Sequence, residues 1–400
     1  MLGKENLVRP KYLERIRPFI DKPIIKVLIG QRRVGKSFIL TQIIKLVESP
    51  TANIIYINKE DYKFDLIESY RDLIEFVEAA SLPDKTNYLF IDEIQDIENF
   101  EKALRHLAIQ PNMDIYITGS NANLLSGELA TYLSGRYVEF KVFSLSYVEF
   151  LQFHEFENNT ENLRKYLLWG GLPFLRNLVK EDNVIQEYLN NIFNTIIYKD
   201  VISRFQIRNT AFLERLVIYL ANNVGSLISA KKISDFLKSQ NVKMSPQIIL
   251  NYLSYLRQAM LVFVAKRMDV KGKKVFEIND KYFFEDWGIM NALIGFDQMD
   301  IGKVIENAVY IHLQINGYKV SVGKLNNKEI DFVAEKSGKR VYLQVCYLLS
   351  TEEVRQREFG NLLEIKDNFP KMVVSLDEYA PKNVNGVEHF HLQKFLTEFE

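Results

Sequence analysis

The residues of this chain best suited to chemistry stand at 30–37. Gly30-Gln31-Arg32-Arg33-Val34-Gly35-Lys36-Ser37 satisfies G-x-x-x-x-G-K-[ST] at every fixed position. That is the pattern of a phosphate-binding loop. A nucleoside triphosphate is densely anionic, and such a loop meets it with backbone N–H groups and the positive end of a helix. Glycine at 30 and 35 leaves no Cβ to hold the backbone away. Lys36 is expected to reach the β- and γ-phosphates and the Ser37 hydroxyl to ligate magnesium, with Gln31, Arg32, Arg33, Val34 and Phe38 in the same binding segment.

A second constellation suits the first. Tyr88-Leu89-Phe90-Ile91-Asp92-Glu93 is an apolar run closed by two acids. At the end of a strand beside the loop, Asp92 would hold magnesium through water and Glu93 would polarise the attacking water. Away from such a loop the same pair would read as charges at a helix N-terminus. Thr118-Gly119-Ser120-Asn121 closes another apolar run. Ser120 or Asn121 is placed either to sense a γ-phosphate or to cap a helix over 123–129. Arg136 follows Leu133-Ser134-Gly135. It is either an arginine finger for its own or a neighbour's nucleotide, or a solvated, ion-paired arginine.

These residues need a scaffold, and the hydrophobic pattern supplies one. Strands are predicted over 24–29, 53–58, 88–93, 114–120 and 136–143, with helices over 37–47, 64–80 and 100–109 between them. Apolar runs alternating with helices indicate an α/β fold, a parallel sheet covered on both faces. That is a phosphate-loop core over 1–145. From 146 to 209 the pattern is helical, broken by Trp169-Gly170-Gly171-Leu172-Pro173, and is expected to form a lid on the nucleotide domain. From 210 to 295 come helices over 211–222, 231–238 and 245–260. Strands over 261–267 and 274–278 follow, around the turn Lys271-Gly272-Lys273, in the order of a winged helix. From 296 to 400 the order is helix 302–316, strands 319–325, 329–335 and 340–348, helix 352–368 and strand 371–376, a third α/β module.

Four hundred residues exceed one ordinary core, which agrees with several domains. The 51 basic and 51 acidic residues cancel, so any nucleic-acid contact must be local. Residues 224–281 carry eleven lysines and arginines against four acids. The helix over 245–260 offers Gln247, Asn251, Tyr252 and Arg257, and the wing offers Lys271, Lys273 and Lys274. This makes DNA a candidate partner; a winged helix used between proteins or domains is the other reading. Cys346 stands alone, which excludes a disulfide framework and a cysteine-based metal cluster. The N-terminal segment has no apolar core of a signal peptide, and no stretch approaches twenty apolar residues. The expectation is a soluble, cytoplasmic protein with no membrane partner.

Taken together, Gly-Gln-Arg-Arg-Val-Gly-Lys-Ser, Phe-Ile-Asp-Glu-Ile-Gln (90–95), Ile-Thr-Gly-Ser-Asn (117–121) and Leu-Ser-Gly-Arg-Tyr (133–137) resemble a family of prokaryotic AAA-type ATPases. In that family the ATPase core is followed by a C-terminal region of unknown function. Trp169–Pro173, Tyr-Lys-Asp-Val (198–201) and Lys-Tyr-Phe-Phe-Glu-Asp-Trp-Gly (281–288) resemble it too, so the likeness covers nearly the whole chain. It implies ATP and Mg2+ as ligands.

The module over 296–400 resembles the restriction-endonuclease-like core of the PD-(D/E)XK superfamily through Glu306, Asp331 in Glu-Ile-Asp-Phe and Gln344 in Leu-Gln-Val-Cys. Those nucleases hold a divalent cation with two acids and orient water with a lysine two residues beyond the second. Here Gln344 and Cys346 stand at the second acid and the lysine, on one face of the strand. A glutamine is a weaker ligand and a thiol carries no ammonium; Lys324 or Lys328 could restore the charge. A degenerate module is expected. The leading expectation is a magnesium-dependent ATPase whose nucleotide state positions its C-terminal modules, with a protein partner and homo-oligomerisation left open. The alternatives are a DNA-binding regulatory or defence protein using ATP as a slow switch, and an ATP-gated DNA nuclease.

Overall fold

In the first part of the chain, helices α1 (Pro10–Ile16), α2 (Lys36–Val47), α3 (Tyr70–Ala80) and α4 (Phe100–Leu107) alternate with strands β1 (Ile25–Ile29), β2 (Ala52–Asn58), β3 (Thr86–Asp92), β4 (Met113–Gly119) and β5 (Tyr137–Lys141). The computed structural model describes residues 7–125, 133, 135–239, 241–272, 279–296 and 300–400. The five strands form one parallel sheet in the order β2-β3-β4-β1-β5. The apolar runs become its interior: every residue of β1 is buried, as are all but the first of β3 and β4. This order puts β4 between β1 and β3. The segments leaving the carboxyl ends of these three strands are therefore neighbours, where ligands bind in open α/β sheets. Lys26 sits fully buried inside β1 because Asp114 of β4 neutralises it.

By contacts the chain divides into two units, residues 1–143 with 258–260, and residues 144–257 with 261–400. The second unit opens with α5 (Tyr147–His154), α6 (Thr160–Trp169) and α7 (Asp182–Thr195), the last continuing as a π-helix over Ile196–Ser203. Next come α8 (Thr210–Asn222), α9 (Ala230–Ser239), α10 (Pro246–Gln258), β6 (Val262–Asp269), β7 (Lys281–Phe284), α11 (Trp287–Ile294) and α12 (Ile301–Ile315). Strands β8 (Lys319–Leu325), β9 (Lys328–Lys336) and β10 (Lys339–Val345), helix α13 (Glu352–Leu363), strands β11 (Lys371–Ser375), β12 (Asn383–Val384) and β13 (Val387–His391), and helix α14 (Leu392–Glu398) complete it.

The helices expected as a lid group with this second unit, since α6 and α7 pack against α11. The junction is specific. The Gly171 N–H donates to Asp286 Oδ2 at 2.8 Å, and Asn291 Nδ2 donates to the Leu167 and Leu168 carbonyls at 2.9 Å each. The Ser144 N–H and hydroxyl both donate to the Glu285 carboxylate, at 2.6 and 2.8 Å. A Cβ on Gly170 would lie 2.3 Å from Asp286 Oδ1, so only glycine allows this approach. Trp169–Pro173 and Glu285–Gly288, more than a hundred residues apart, are thus each other's packing partners. Burial pushes the Asp286 carboxyl up to about 6, against the backbone and hydroxyl bonds that favour its ionised form.

Of the expected wing, only the first strand lies within the described residues. Residues 273–278, which include Lys273, Lys274 and the predicted strand over 274–278, lie outside the described residues. Strand β6 pairs antiparallel with β7, a strand the sequence did not announce, and parallel with β8 on its other side. It therefore stands inside an eight-stranded sheet of order β12-β13-β11-β10-β9-β8-β6-β7. The boundary expected at 295/296 runs through this continuous sheet. An open β8 edge would expose unpaired backbone groups, and β6 covers it. At the outer edge, the Asn307 side chain of α12 replaces a further strand: it accepts from Phe284 N and donates to Phe284 O, both at 2.8 Å.

Candidate functional site

The loop of residues 30–37 leaves β1 and enters α2, whose first residue is Lys36. Gly35 turns it with φ +97°, and Arg33 also takes a left-handed φ of +71° with an exposed side chain. A Cβ on Gly30 would fall 2.3 Å from the Val142 carbonyl oxygen. Lys36 is buried, its ammonium donating to the Gly30 and Gln31 carbonyls at 3.0 and 3.1 Å and lying 3.4 Å from Glu93 Oε1. Gln31 is fully buried and neither polar atom of its side chain has a partner within the chain. Arg32 is buried and paired with Glu60 at 3.1 Å, while Phe38 is exposed.

Both acids stand at the end of β3. Asp92 is its last residue, and Glu93 turns the chain in a left-handed conformation of φ +57°. A side chain other than glycine is strained there, a feature concentrated at functional sites. The neighbouring strand supports both. Thr118 of β4 accepts from the Glu93 N–H at 2.9 Å and donates its hydroxyl to Asp92 Oδ1. Burial raises the Asp92 carboxyl, with bonds from Ser37 and Thr118 working against the rise. Burial raises Glu93 too, but Lys36 and Arg32, with bonds from Gln95 and Ser120, outweigh it and hold this carboxyl at about 2. Glu93 is thus ionised at neutral pH, and its Oε2 accepts from Gln95 Nε2 at 2.6 Å.

The structure therefore brings Lys36, Ser37, Asp92, Glu93 and Ser120 into one cluster. Asn121 is half-buried and its carbonyl accepts from Leu124 N–H at 3.2 Å, opening a 3-10 turn over Ala122–Leu125. Most of the helix expected over 123–129 lies outside the described residues. Arg136 is exposed, and its carbonyl accepts from the Ile25 N–H at 2.8 Å at the start of β5. Two residues of the cluster had weak sequence signals. Thr118 is the first residue of a polar tetrad, and only the β3–β4 register, Ile91 opposite Ile117, puts it beside Asp92. Gln95 lies within the 3-10 turn after Glu93.

Comparison with known proteins agrees with this geometry. Residues 22–151 match the family described as AAA domain, and residues 160–300 match a domain of unknown function (DUF8612). An uncharacterised protein of Haemophilus influenzae is 36% identical over 406 residues, 99% of this chain and 100% of its own length. The chain belongs to this family of AAA-domain proteins. A second relative, an uncharacterised protein of Methanocaldococcus jannaschii, is 34% identical over 84% of this chain and 77% of its own length. A solved structure, the Walker-type ATPase of Pyrococcus abyssi, has a TM-score of 0.50 at 16% identity and covers 71% of this chain and 95% of that one, a likeness of fold. The expected AAA-type, ATP-binding ATPase core is borne out at this level.

In this AAA-domain protein the C-terminal residues singled out by sequence also meet, with an unforeseen member. Lys281, the first residue of β7, is buried. Its ammonium lies 2.9 Å from Glu306 Oε1 of α12, 2.7 Å from Glu329 Oε1 and 3.4 Å from Asp331 Oδ1 of β9. Gln344 accepts from the Asp331 N–H at 2.7 Å and donates to Glu358 Oε2 at 3.0 Å, so both ends of its amide are engaged. Cys346 is buried, and burial, then Glu358 and Asp331, pushes its thiol up to about 12. The cation among the acids is Lys281; Lys328 pairs with Glu364 at 2.6 Å instead. Among the described residues no group of three or more His, Cys, Asp or Glu is arranged to hold a metal ion, and no helix is long and apolar enough to cross a membrane.

Proposed function

We propose that this chain is a magnesium-dependent ATPase whose nucleotide state is passed to its C-terminal region. The observation that carries the reading is Lys36, Asp92 and an ionised Glu93 held together at the loop. The chain's own groups suit a triphosphate and its metal. The buried Gln31 amide has no partner within the chain, Lys36 supplies positive charge, and Ser37 with Asp92 offers hard oxygen donors. Bound magnesium supplies charge neutralisation and orientation of the phosphates. Glu93, fixed by Gln95, Ser120 and Thr118, accepts a proton from the attacking water. Ser120 orients that carboxylate, and the exposed Arg136 is the candidate to stabilise developing charge on its own or a second copy's nucleotide.

Arg9 supports transmission. Its buried guanidinium donates to the Val34 carbonyl of the loop at 3.0 Å and to the Phe143 carbonyl at 2.9 Å. The next residue, Ser144, is the one bonded to Glu285. A shift of the loop on nucleotide binding thus pulls on the last residue before the second unit.

The test is a pair of variants assayed for ATP binding by calorimetry and for phosphate release. Lys36→Ala should abolish binding. Glu93→Gln should bind ATP and fail to turn it over; hydrolysis at the wild-type rate would show that Glu93 is not the base. A second reading, contact with DNA, is favoured by Lys231, Lys232, Lys238, Lys243 and Arg257, all exposed on or beside α9 and α10. Exposed Ile248 and Leu250 on the same α10 suit a protein surface instead. DNA that stimulates turnover in a salt-dependent way would establish the contact, and turnover indifferent to DNA would remove it.

A further inference from the structure

The two adjacent arginines of the loop part company. Arg33 takes a left-handed φ of +71° and is exposed, while the Arg32 side chain is only 5% exposed and pairs with Glu60 Oε1 at 3.1 Å. Arg32 follows β1 and Glu60 follows β2. In the order β2-β3-β4-β1 the ends of β3 and β4 lie between those two points. The pair therefore spans the strand ends that carry Asp92, Glu93 and Ser120. Glu93 feels the crossing: burial raises its carboxyl, and Lys36 and then Arg32 are the charges that bring it down. The far end of the span is anchored. The Lys59 N–H donates to the Asp92 carbonyl at 3.2 Å, and the Glu60 N–H donates to Asn58 Oδ1 at 2.9 Å.

The Glu60 side chain is 45% exposed, and an ion pair with one half in water is worth little. A triphosphate offers a guanidinium more, because the planar fork can aim two N–H groups at charged phosphoryl oxygens at once. In phosphoryl transfer the charge spreads over the oxygens of the transferred group, next to the base. Lys36 is held within the loop by the Gly30 and Gln31 carbonyls, whereas Arg32 reaches across the strand ends beside Glu93. The geometry points to Arg32 as the chain's own catalytic arginine, which exchanges its pairing with Glu60 for the γ-phosphoryl oxygens of bound ATP. The role presupposes the ATP hydrolysis proposed for the same site. In that step the water oxygen bonds to the γ-phosphorus as its bond to the β–γ bridging oxygen breaks. ADP keeps that electron pair, and Glu93 takes the water's proton. Arg32 forms no covalent bond; its charge offsets the charge on the phosphoryl oxygens. The exposed Arg136 is thereby left for a second copy's nucleotide.

The experiment measures phosphate release, and ATP and ADP affinity by calorimetry, on the full chain with magnesium. The set is wild type, Arg32→Ala, Arg32→Lys, Glu60→Gln and Arg32→Ala/Glu60→Gln. Arg32→Ala should lower kcat by about 10³-fold or more, with KM for ATP changed far less. Arg32→Lys keeps the charge without the fork and should recover only part of the loss. Glu60→Gln removes the competing carboxylate. It should bind ATP about two- to fivefold more tightly, the equivalent of a half-exposed ion pair, and bind ADP as wild type does. The double variant should lose that gain. Arg32→Ala turning over at the wild-type rate overturns the proposal, and so does Glu60→Gln with wild-type affinity for ATP. If Arg32→Ala does not fold, the Glu60→Gln affinities and the Arg32→Lys rate decide in its place, wild-type values in both being the refutation. Wild type that releases no phosphate would refute the ATPase reading and the role of Arg32 together; an active wild type matched by Arg32→Ala refutes Arg32 alone.

Discussion

Lys36 and Lys281 are both buried lysines beside carboxylates, but their surroundings are opposite in charge. Two of the contacts to Lys36 are neutral loop carbonyls and a single acid, Glu93, lies at 3.4 Å. Lys281 faces three acids and no carbonyl partner of that kind is needed to satisfy it. The first lysine keeps positive field to spend on an anion, and backbone N–H groups of a helix N-terminus add to it. The second is already outnumbered by carboxylates, so its region attracts cations or nothing. One arrangement is open to a ligand and the other is closed on itself, although each is a lysine reaching acids at a strand end.

The sharpest test of that contrast is functional. Glu93→Gln should lower turnover by about 10²–10⁴-fold, the usual range for a lost general base, with ATP affinity retained. Loss of ATP binding in this variant would mean that Glu93 organises the loop and does not serve as base. Next in size is stability measured by urea denaturation. Lys281→Met removes the cation from among three half-buried acids and should cost about 3–5 kcal/mol. Lys36→Met should cost less, because it takes a cation from one carboxylate, Glu93, which keeps Arg32 beside it. Equal losses would erase the distinction between the two sites. Gly225→Ala, at φ +75° and with its Cβ directed at Glu306, should cost about 1–3 kcal/mol.

The smallest effect is a slope. Burial raises the Glu306 carboxyl, Lys281 opposes the rise, Asp331 and Glu329 add to it, and the group is held at about 8. A folded-state value above the unfolded 4.5 means that the folded chain keeps a proton the unfolded chain releases. This stabilisation is complete below the unfolded value and is lost as pH rises through the folded one. His154, whose ring burial holds at about 4, and Asp286, at about 6, have largely titrated below neutrality. Stability should therefore fall between neutral pH and about pH 8 in wild type and stay flatter in Glu306→Gln. A Glu306→Gln variant with the wild-type slope would assign the titration to another group.

Much of the nucleotide site was legible because it is nearly contiguous. Residues 30–37 form one loop, Asp92 and Glu93 close one apolar run, and each run became the strand its pattern indicated. Thr118 was visible only as part of a polar strand end, since its contact with both acids depends on β4 lying beside β3. In the C-terminal sheet, β8, β9 and β10 were legible from period-2 patterning, but β7 was not. A lysine at the head of Lys-Tyr-Phe-Phe argues against a buried strand until the acids that neutralise it are in place. Strand β6 was readable as a strand and not as a member of the C-terminal sheet, because pairing is chosen by whichever edge is left open.

The sequence by itself determined the parallel order of strand and helix at the start of the chain, the glycine loop, and the two acids facing it. These follow from backbone freedom and hydrophobic period, which act over a few residues. The tertiary structure alone decided that Trp169–Pro173 locks onto Asp286, that the supposed wing strand belongs to a larger sheet, and that Lys281 fills the carboxylate cluster. Each depends on groups brought together from 25 to more than a hundred residues apart, where burial sets which charges must be paired.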